Sequence, residues 1–215
     1  MKGGGSLVFS PNGVAVGVVI VTILLFTLRS RRRRLERTSQ SRQHFVKAAT
    51  LFNDAQKVKV QSEAQSLAEQ AIVEVDAAIR LDKHDPSFHI LKSLALEIVG
   101  NSKGAVKELD RALAEPKDLT IRERSGTMVK KAELLLSHPE DGENQLHEAV
   151  EDLQRCVKLT PKNARAQFLL GQAYEKEGDI FKAIGAFNEA ATLDPKSPDA
   201  KVALERLHVS STIAA

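Results

Sequence analysis

The sequence predicts an all-α fold in which antiparallel helix pairs stack into a solenoid, preceded by a single transmembrane helix. Two observations predict it. A helical signature with small or apolar residues at its first, fifth and eighth positions recurs four times, at steps of 34, 44 and 34 residues. An uncharged, apolar segment lies near the N-terminus. A 34-residue period is typical of helix pairs that bury their apolar faces only against neighbouring pairs, so we expect a binding surface and not an enzyme.

Small residues are expected in the signature because they let two helices cross closely. In the last copy, Gly171, Ala183 and Ala190 are predicted to lie at such a crossing. Gly178 is predicted to end the first helix in a left-handed conformation, and Asp179 to cap the second. The signature residues are Ala71, Val75 and Ala78; Ala105, Leu109 and Ala112; Ala149, Leu153 and Cys156; and Ala183, Phe187 and Ala190.

The last copy, residues 163–196, resembles the tetratricopeptide repeat. Gln167 stands where that family usually has Trp. The resemblance implies a right-handed solenoid whose first helices line a concave groove for protein or peptide ligands. The residues at the family's spacings are Leu170, Gly171, Tyr174, Gly178, Ala183, Phe187, Ala190 and Pro195.

The resemblance weakens towards the N-terminus. In the second copy, Lys92 and Ser93 occupy positions where the family has Leu and Gly. The third copy carries ten extra residues, which we expect in a polar loop at 138–144. The first copy reads as a degenerate repeat or cap. Its apolar residues recur at helical spacing: Phe45, Ala48, Ala49, Phe52 and Ala55.

A capping helix is predicted after Pro195, at residues 198–208, with Val202, Leu204 and Leu207 as its apolar residues. The predicted repeat domain of about four repeats therefore covers residues 43–208, and residues 209–215 form a tail.

Residues 11–28 are predicted to form a transmembrane anchor, after a short non-cytosolic tail at 1–10. A helix of this length reaches about 27 Å at 1.5 Å per residue, which spans a thinner bilayer. A cleaved secretory signal and a buried helix are the alternatives. The basic residues that follow the segment favour the anchor, since a secretory signal carries its charges before the apolar run.

The basic juxtamembrane segment, residues 29–42, is predicted to set the topology: repeats in the cytosol, on the endoplasmic reticulum or the outer membrane of mitochondria or chloroplasts. Its arginines are expected to meet anionic lipid headgroups; a targeting role and nucleic-acid binding are alternatives. Residues 1–42 carry eight basic residues and one acidic, whereas 43–215 carry 23 and 27, so the basic charge is no nucleic-acid footprint of the folded part. The topology residues are Arg29, Arg31, Arg32, Arg33 and Arg34.

No catalytic, cofactor-binding or metal-binding pattern is found in the sequence, so we expect no cofactor and no small-molecule substrate. Cys156 stands where the other copies have Ala and is predicted to be a small core residue. The six histidines have no metal-ligand spacing.

The groove predicted from the resemblance contains two sets of candidate partner-binding residues. The alternative for Phe168, Ile90 and Leu94 is packing against the adjacent pair. Lys47 with Leu51 and Arg165 with Leu169 depart from the residue pairs with which the family clamps chaperone tails. The candidates are Arg165, Phe168, Gln172, Glu175, Ile90 and Leu94.

The sequence thus predicts a membrane-anchored docking receptor or interaction scaffold that faces the cytosol. The alternative is a regulatory or assembly subunit that binds a membrane complex partly through its transmembrane helix.

Overall fold

A computed structural model describes residues 11–114, 119–137 and 143–213, without the side chains of 11–28, 30, 31, 33, 34, 143 and 208–213. Over these residues the chain is helical, with short connections. The helices are α1 Pro11–Lys57, α2 Gln61–Leu81, α3 Pro86–Val99, α4 Ser102–Ala114, α5 Ile121–Ser137, α6 Glu143–Leu159, α7 Ala164–Glu177, α8 Ile180–Leu193 and α9 Asp199–Ile213.

Consecutive helices form four pairs, α1 with α2, α3 with α4, α5 with α6 and α7 with α8, and each pair packs against the next. The last pair packs against α9. The predicted end of the first helix and the predicted cap of the second helix in the last pair are confirmed. Gly178 ends α7 at φ 82°, and the Asp179 carboxylate accepts a hydrogen bond from the backbone N–H of Lys182 at 3.0 Å.

All twelve signature residues are buried, which confirms the repeat phase. Gly171 lies closest to its partner helix: a Cβ atom there would stand 2.6 Å from the ring of Phe187. Phe187 is fully buried. An alanine at this crossing would therefore force the Phe187 ring or one of the two helices to shift.

The first pair differs from its prediction in one respect. Helix α1 runs without a break through the predicted anchor, the basic segment and the first repeat, from Pro11 to Lys57. Its repeat portion packs as expected, with Ala48, Phe52 and Ala55 buried. Over the residues that were described, no helix has both the length and the apolar content to cross a membrane. The side chains of the predicted anchor, residues 11–28, lie outside that part.

The extra length of the third pair is not confined to the predicted loop. Helices α5 and α6 have 17 residues each, against 14 in α3 and 13 in α4. The expectation that all ten residues fall at 138–144 is therefore wrong. Residues 138–142 themselves lie outside the described residues.

The capping helix is also corrected. It begins at Asp199 and is described to Ile213, beyond the predicted end at residue 208. Val202 is exposed, because the face that packs on α8 is formed by Ala200, Ala203 and Leu207.

A partly buried ion cluster explains why Lys92 replaces the family's leucine. Its ammonium on α3 lies 2.8 Å from Asp76 of α2 and 3.1 Å from Glu108 of α4. His89 Nδ1 donates to the Glu108 carboxylate at 2.7 Å, and Arg111 contacts it at 2.7 Å. Burial alone raises the pKa of Glu108, but the hydrogen bonds from His89 and Lys92, with the charges of Lys92 and Arg111, lower it to about 2.

An equivalent cluster lies one pair further along the chain. Lys131 of α5 is buried and contacts Asp110 of α4 at 2.6 Å and Glu148 of α6 at 2.5 Å. Its ammonium lies 2.9 Å from Asp152 Oδ2 of α6, an ion pair without hydrogen-bond geometry. Burial lowers the pKa of Lys131, but its carboxylate partners outweigh burial and raise the pKa above its ordinary value.

The contact between the third and fourth pairs is apolar at the same positions. Leu170 and Gly171 stand where the earlier pairs have Lys92 with Ser93 and Lys131 with Ala132. Leu170 is buried in the core cluster of α5, α6 and α7. Gln154 occupies the position of Asp76 and Asp110, and Ala186 that of Glu108 and Asp152, so the lysine and these two acids are absent together from the last contact.

Gly171→Ala is expected to destabilise the chain by roughly 1–3 kcal/mol, because the added methyl group meets the buried Phe187 ring. Urea unfolding of the full chain, followed by circular dichroism, measures this cost.

The matched control is Gly185→Ala in α8, where a Cβ atom meets nothing within 4 Å. This variant is expected to gain about 0.5–1 kcal/mol from helix propensity alone. Equal effects of the two substitutions would contradict the close crossing at Gly171.

Candidate docking groove

The first helices of the second, third and fourth pairs line an open groove of about 730 Å³, which ends at α9. Helix α5 contacts α7, and α3 and α9 lie at the two ends of the groove. The lining residues are Glu97, Lys130, Glu133, Leu134, Leu136, Ser137, Arg165, Leu169, Gln172, Glu175, Lys176 and Arg206.

Ion pairs cross the groove from each helix to the next. Lys130 of α5 contacts Glu97 of α3 at 2.8 Å. Arg165 of α7 contacts Glu133 of α5 through Nε and Nη2, both at 2.9 Å. Arg206 of α9 contacts Glu175 of α7 at 2.6 Å. The groove therefore presents fixed charges at each step between successive helices.

Lys176 is the fourth cation of the groove, and its ammonium donates to the backbone carbonyl of Leu136 at 2.7 Å. The apolar side chains of Leu134, Leu136 and Leu169 are nearly buried and lie beneath these charges. The arrangement combines an apolar floor with charged walls. It can hold a peptide chain.

Three of the candidate residues lie together in this groove: Arg165, Gln172 and Glu175. Phe168 does not line it. Its ring centroid lies 5.6 Å from that of Phe187, in the cluster between the last pair and α9. The packing alternative is therefore favoured for Phe168.

The two candidates on α3 lie outside the groove. Leu94 packs against the buried core of the first two pairs, and Ile90 is half-buried. Both are consistent with the packing alternative.

Sequence reasoning missed four groove cations and acids: Lys130, Glu133, Lys176 and Arg206. The sequence did not identify Lys130 and Glu133 as groove residues because the ten extra residues of the third copy obscure which face of α5 lines the groove. Arg206 lies on the predicted cap, which the repeat pattern does not connect with binding. The charged residues on the face of α9 that does not pack against α8 were the sequence signal that could have identified Arg206.

Of the predicted topology residues, Arg29 and Arg32 are exposed on α1, and Arg32 pairs with Glu36. The side chains of Arg31, Arg33 and Arg34 lie outside the described part. Cys156 is fully buried, as predicted for a core residue, with its sulfur 3.0 Å from the Ser125 hydroxyl. In the described ranges, no group of three or more potential ligands is arranged to hold a metal ion.

Residues 140–198 match the tetratricopeptide repeat family model. Three similar curated proteins match over a short segment. Cellulose synthase operon protein C of Escherichia coli is 41% identical over 49 residues, which are 23% of this chain and 4% of that protein. Superkiller protein 3 of Schizosaccharomyces pombe is 39% identical over 49 residues, again 23% and 4%. Anaphase-promoting complex subunit 3 of Dictyostelium discoideum is 36% identical over 53 residues, 25% and 6%.

Solved structures cover much more of the chain. MamA, residues 41 to the end, from Desulfovibrio magneticus has a TM-score of 0.61 at 25% identity, covering 77% of this chain and 86% of that one. YrrB, described as a TPR protein with an unusual peptide-binding site, has a TM-score of 0.57 at 20% identity, covering 75% and 76%. Yeast Tom70 has a TM-score of 0.61 at 20% identity, covering 83% and 40%.

The helix pairs, the family match at residues 140–198 and these neighbours agree: the described part of the chain has the fold of tetratricopeptide-repeat proteins.

Proposed function

We propose that the chain is a non-enzymatic docking scaffold that binds a segment of a partner protein in the groove of α3, α5, α7 and α9. The observation that carries the proposal is the groove itself, about 730 Å³, open along its length and lined by charged side chains over leucines. A site of this kind binds through a polar rim and an apolar base. Its likeness to YrrB, whose description names a peptide-binding site, supports the same use.

The scaffold is proposed to be anchored in a membrane by residues 11–28, with the repeats in the cytosol on the endoplasmic reticulum or an organelle outer membrane. The support is in the sequence: this segment has no charged residue, and a run of arginines follows it. Basic residues after an apolar segment stay on the cytoplasmic side. The unbroken helix α1 then joins the anchor to the first repeat.

Protease added to sealed membranes that carry the full chain is expected to digest the repeat domain, because the arginine flank keeps it on the outer, cytosolic face. Immunoblotting with antibodies against the C-terminal part measures the loss. Replacing the five arginines by glutamine serves as the comparison. A repeat domain protected from protease before detergent is added would contradict this topology.

Site-specific photo-crosslinking tests docking against the alternative of a subunit bound through its transmembrane helix. The full chain carries the crosslinker at Gln172 in the groove, at Leu24 in the predicted anchor, or at exposed Lys158 on α6 as control. A groove scaffold is expected to give a protein adduct from position 172 and none from position 158. Mass spectrometry identifies the adduct.

An adduct formed from position 24 and absent from position 172 would contradict the scaffold and support the membrane subunit. Equal adducts from positions 172 and 158 would show that the groove has no special role.

A further inference from the structure

We propose that the groove is selective for an extended acidic–apolar segment, in which Asp or Glu side chains alternate with apolar ones. This inference rests on the proposed docking function and names the chemistry of its ligand. Two features of the groove support it: the solvent exposure of its charged side chains and the leucines beneath them.

In the two ion pairs made by α7 and α9, the cation is more exposed than the acid that holds it. The Arg165 side chain is 52% exposed and its partner Glu133 28%; Arg206 is 60% exposed and its partner Glu175 23%. Lys176 is also exposed, and its ammonium donates to the neutral carbonyl of Leu136. A ligand entering from solvent over α7 and α9 therefore meets three cations first. At the α3 end the order is reversed, since Glu97 is 39% exposed and Lys130 28%.

The geometry of Arg165 leaves donors for a ligand. A guanidinium group has five N–H donors in a planar fork, and Arg165 directs Nε and Nη2 to the same oxygen of Glu133. Its ring contact with Phe168, at 5.6 Å, supports the side chain from one face. The remaining N–H groups suit a ligand carboxylate, which forms charge-assisted hydrogen bonds.

Gln172 lies between these cations on α7. Within the described residues its amide has no hydrogen-bond partner, so both its donor and its acceptor are available for the backbone of an extended peptide. A hydrogen bond from Gln172 to the peptide backbone would position the peptide without selecting among its side chains.

The floor accounts for the apolar half of the ligand. Leu136 and Leu169 lie beneath the cations, on neighbouring helices. Successive side chains of an extended peptide point to opposite sides. Alternate residues then reach the leucine floor, while the acidic residues between them reach Arg165, Lys176 and Arg206.

Fluorescence anisotropy with the full chain in detergent tests this selectivity. The probe is a labelled synthetic peptide in which glutamate alternates with leucine and alanine, with its C-terminus amidated. The matched probes carry glutamine or lysine in place of glutamate. We expect the glutamate peptide to bind about tenfold more tightly than the glutamine peptide, and the lysine peptide to bind more weakly still.

The protein variants form the second arm. The double variant Arg165→Gln with Arg206→Gln is expected to lose the preference for glutamate over glutamine, whereas Lys158→Gln, which removes an exposed charge from α6, keeps it. Helicity and melting are expected to stay unchanged, since exposed ion pairs contribute little to stability.

Equal affinity for all three peptides, or an equal loss in the Lys158→Gln control, would overturn the acidic selectivity and leave peptide docking intact. Binding of anionic vesicles or single-stranded RNA at these arginines, with no peptide bound, would also overturn it. If no probe binds, the inference fails, and crosslinking from position 172 decides separately whether the groove docks a protein.

Discussion

The stacking of the first three pairs depends on two lysines that tie adjacent pairs together: Lys131 is buried, and the Lys92 side chain is 17% exposed. A buried ammonium group is costly unless carboxylates compensate it. Lys92 and Lys131 each take one carboxylate from the preceding pair and at least one from their own. If the preceding pair moves away, each lysine loses one carboxylate, Asp76 or Asp110, and keeps only those of its own pair. The lysines thus fix how the second pair sits on the first, and the third on the second.

The contact between pairs also determines the groove. The groove exists only because α3, α5, α7 and α9 keep their spacing, and Glu97, Lys130, Glu133 and Arg165 reach one another across it. Leu170 makes the last contact apolar, so the charged and apolar contacts are not interchangeable. A mispaired arrangement would place a lysine against Gln154, or Leu170 against Asp76 or Asp110. The charges therefore distinguish the last contact between pairs from the first two, which favours the stacking that holds the binding surface in shape.

The sequence was sufficient to predict the repeat phase, because small residues at a fixed period indicate where helices cross closely. The signature residues are buried as expected. The sequence was not sufficient to predict contacts between side chains that are far apart in the chain. Lys92 was recognisable as a departure from the family pattern, but its partners on α2 and α4 are identified only by the fold. Phe168 was assigned to the groove from its position, whereas its neighbour Leu169 faces the groove and Phe168 packs on Phe187. The periodicity of apolar residues predicts the inward face of a helix to within about one residue. An error of one residue here exchanges Leu169, which lines the groove, for Phe168, which packs on Phe187.

The free energy of unfolding of two variants tests the role of the two lysines most directly. Lys131→Ala removes the cation that Asp110, Glu148 and Asp152 share and leaves the buried Asp152 with only Arg155, 3.8 Å away, at an expected cost of roughly 3–5 kcal/mol. The triple variant Lys131→Leu, Asp110→Gln and Asp152→Ala reproduces the residues of the last contact, and its stability is expected to lie within about 1 kcal/mol of the natural chain or above it. A triple variant as unstable as Lys131→Ala, or a Lys131→Ala variant that loses nothing, would contradict the account.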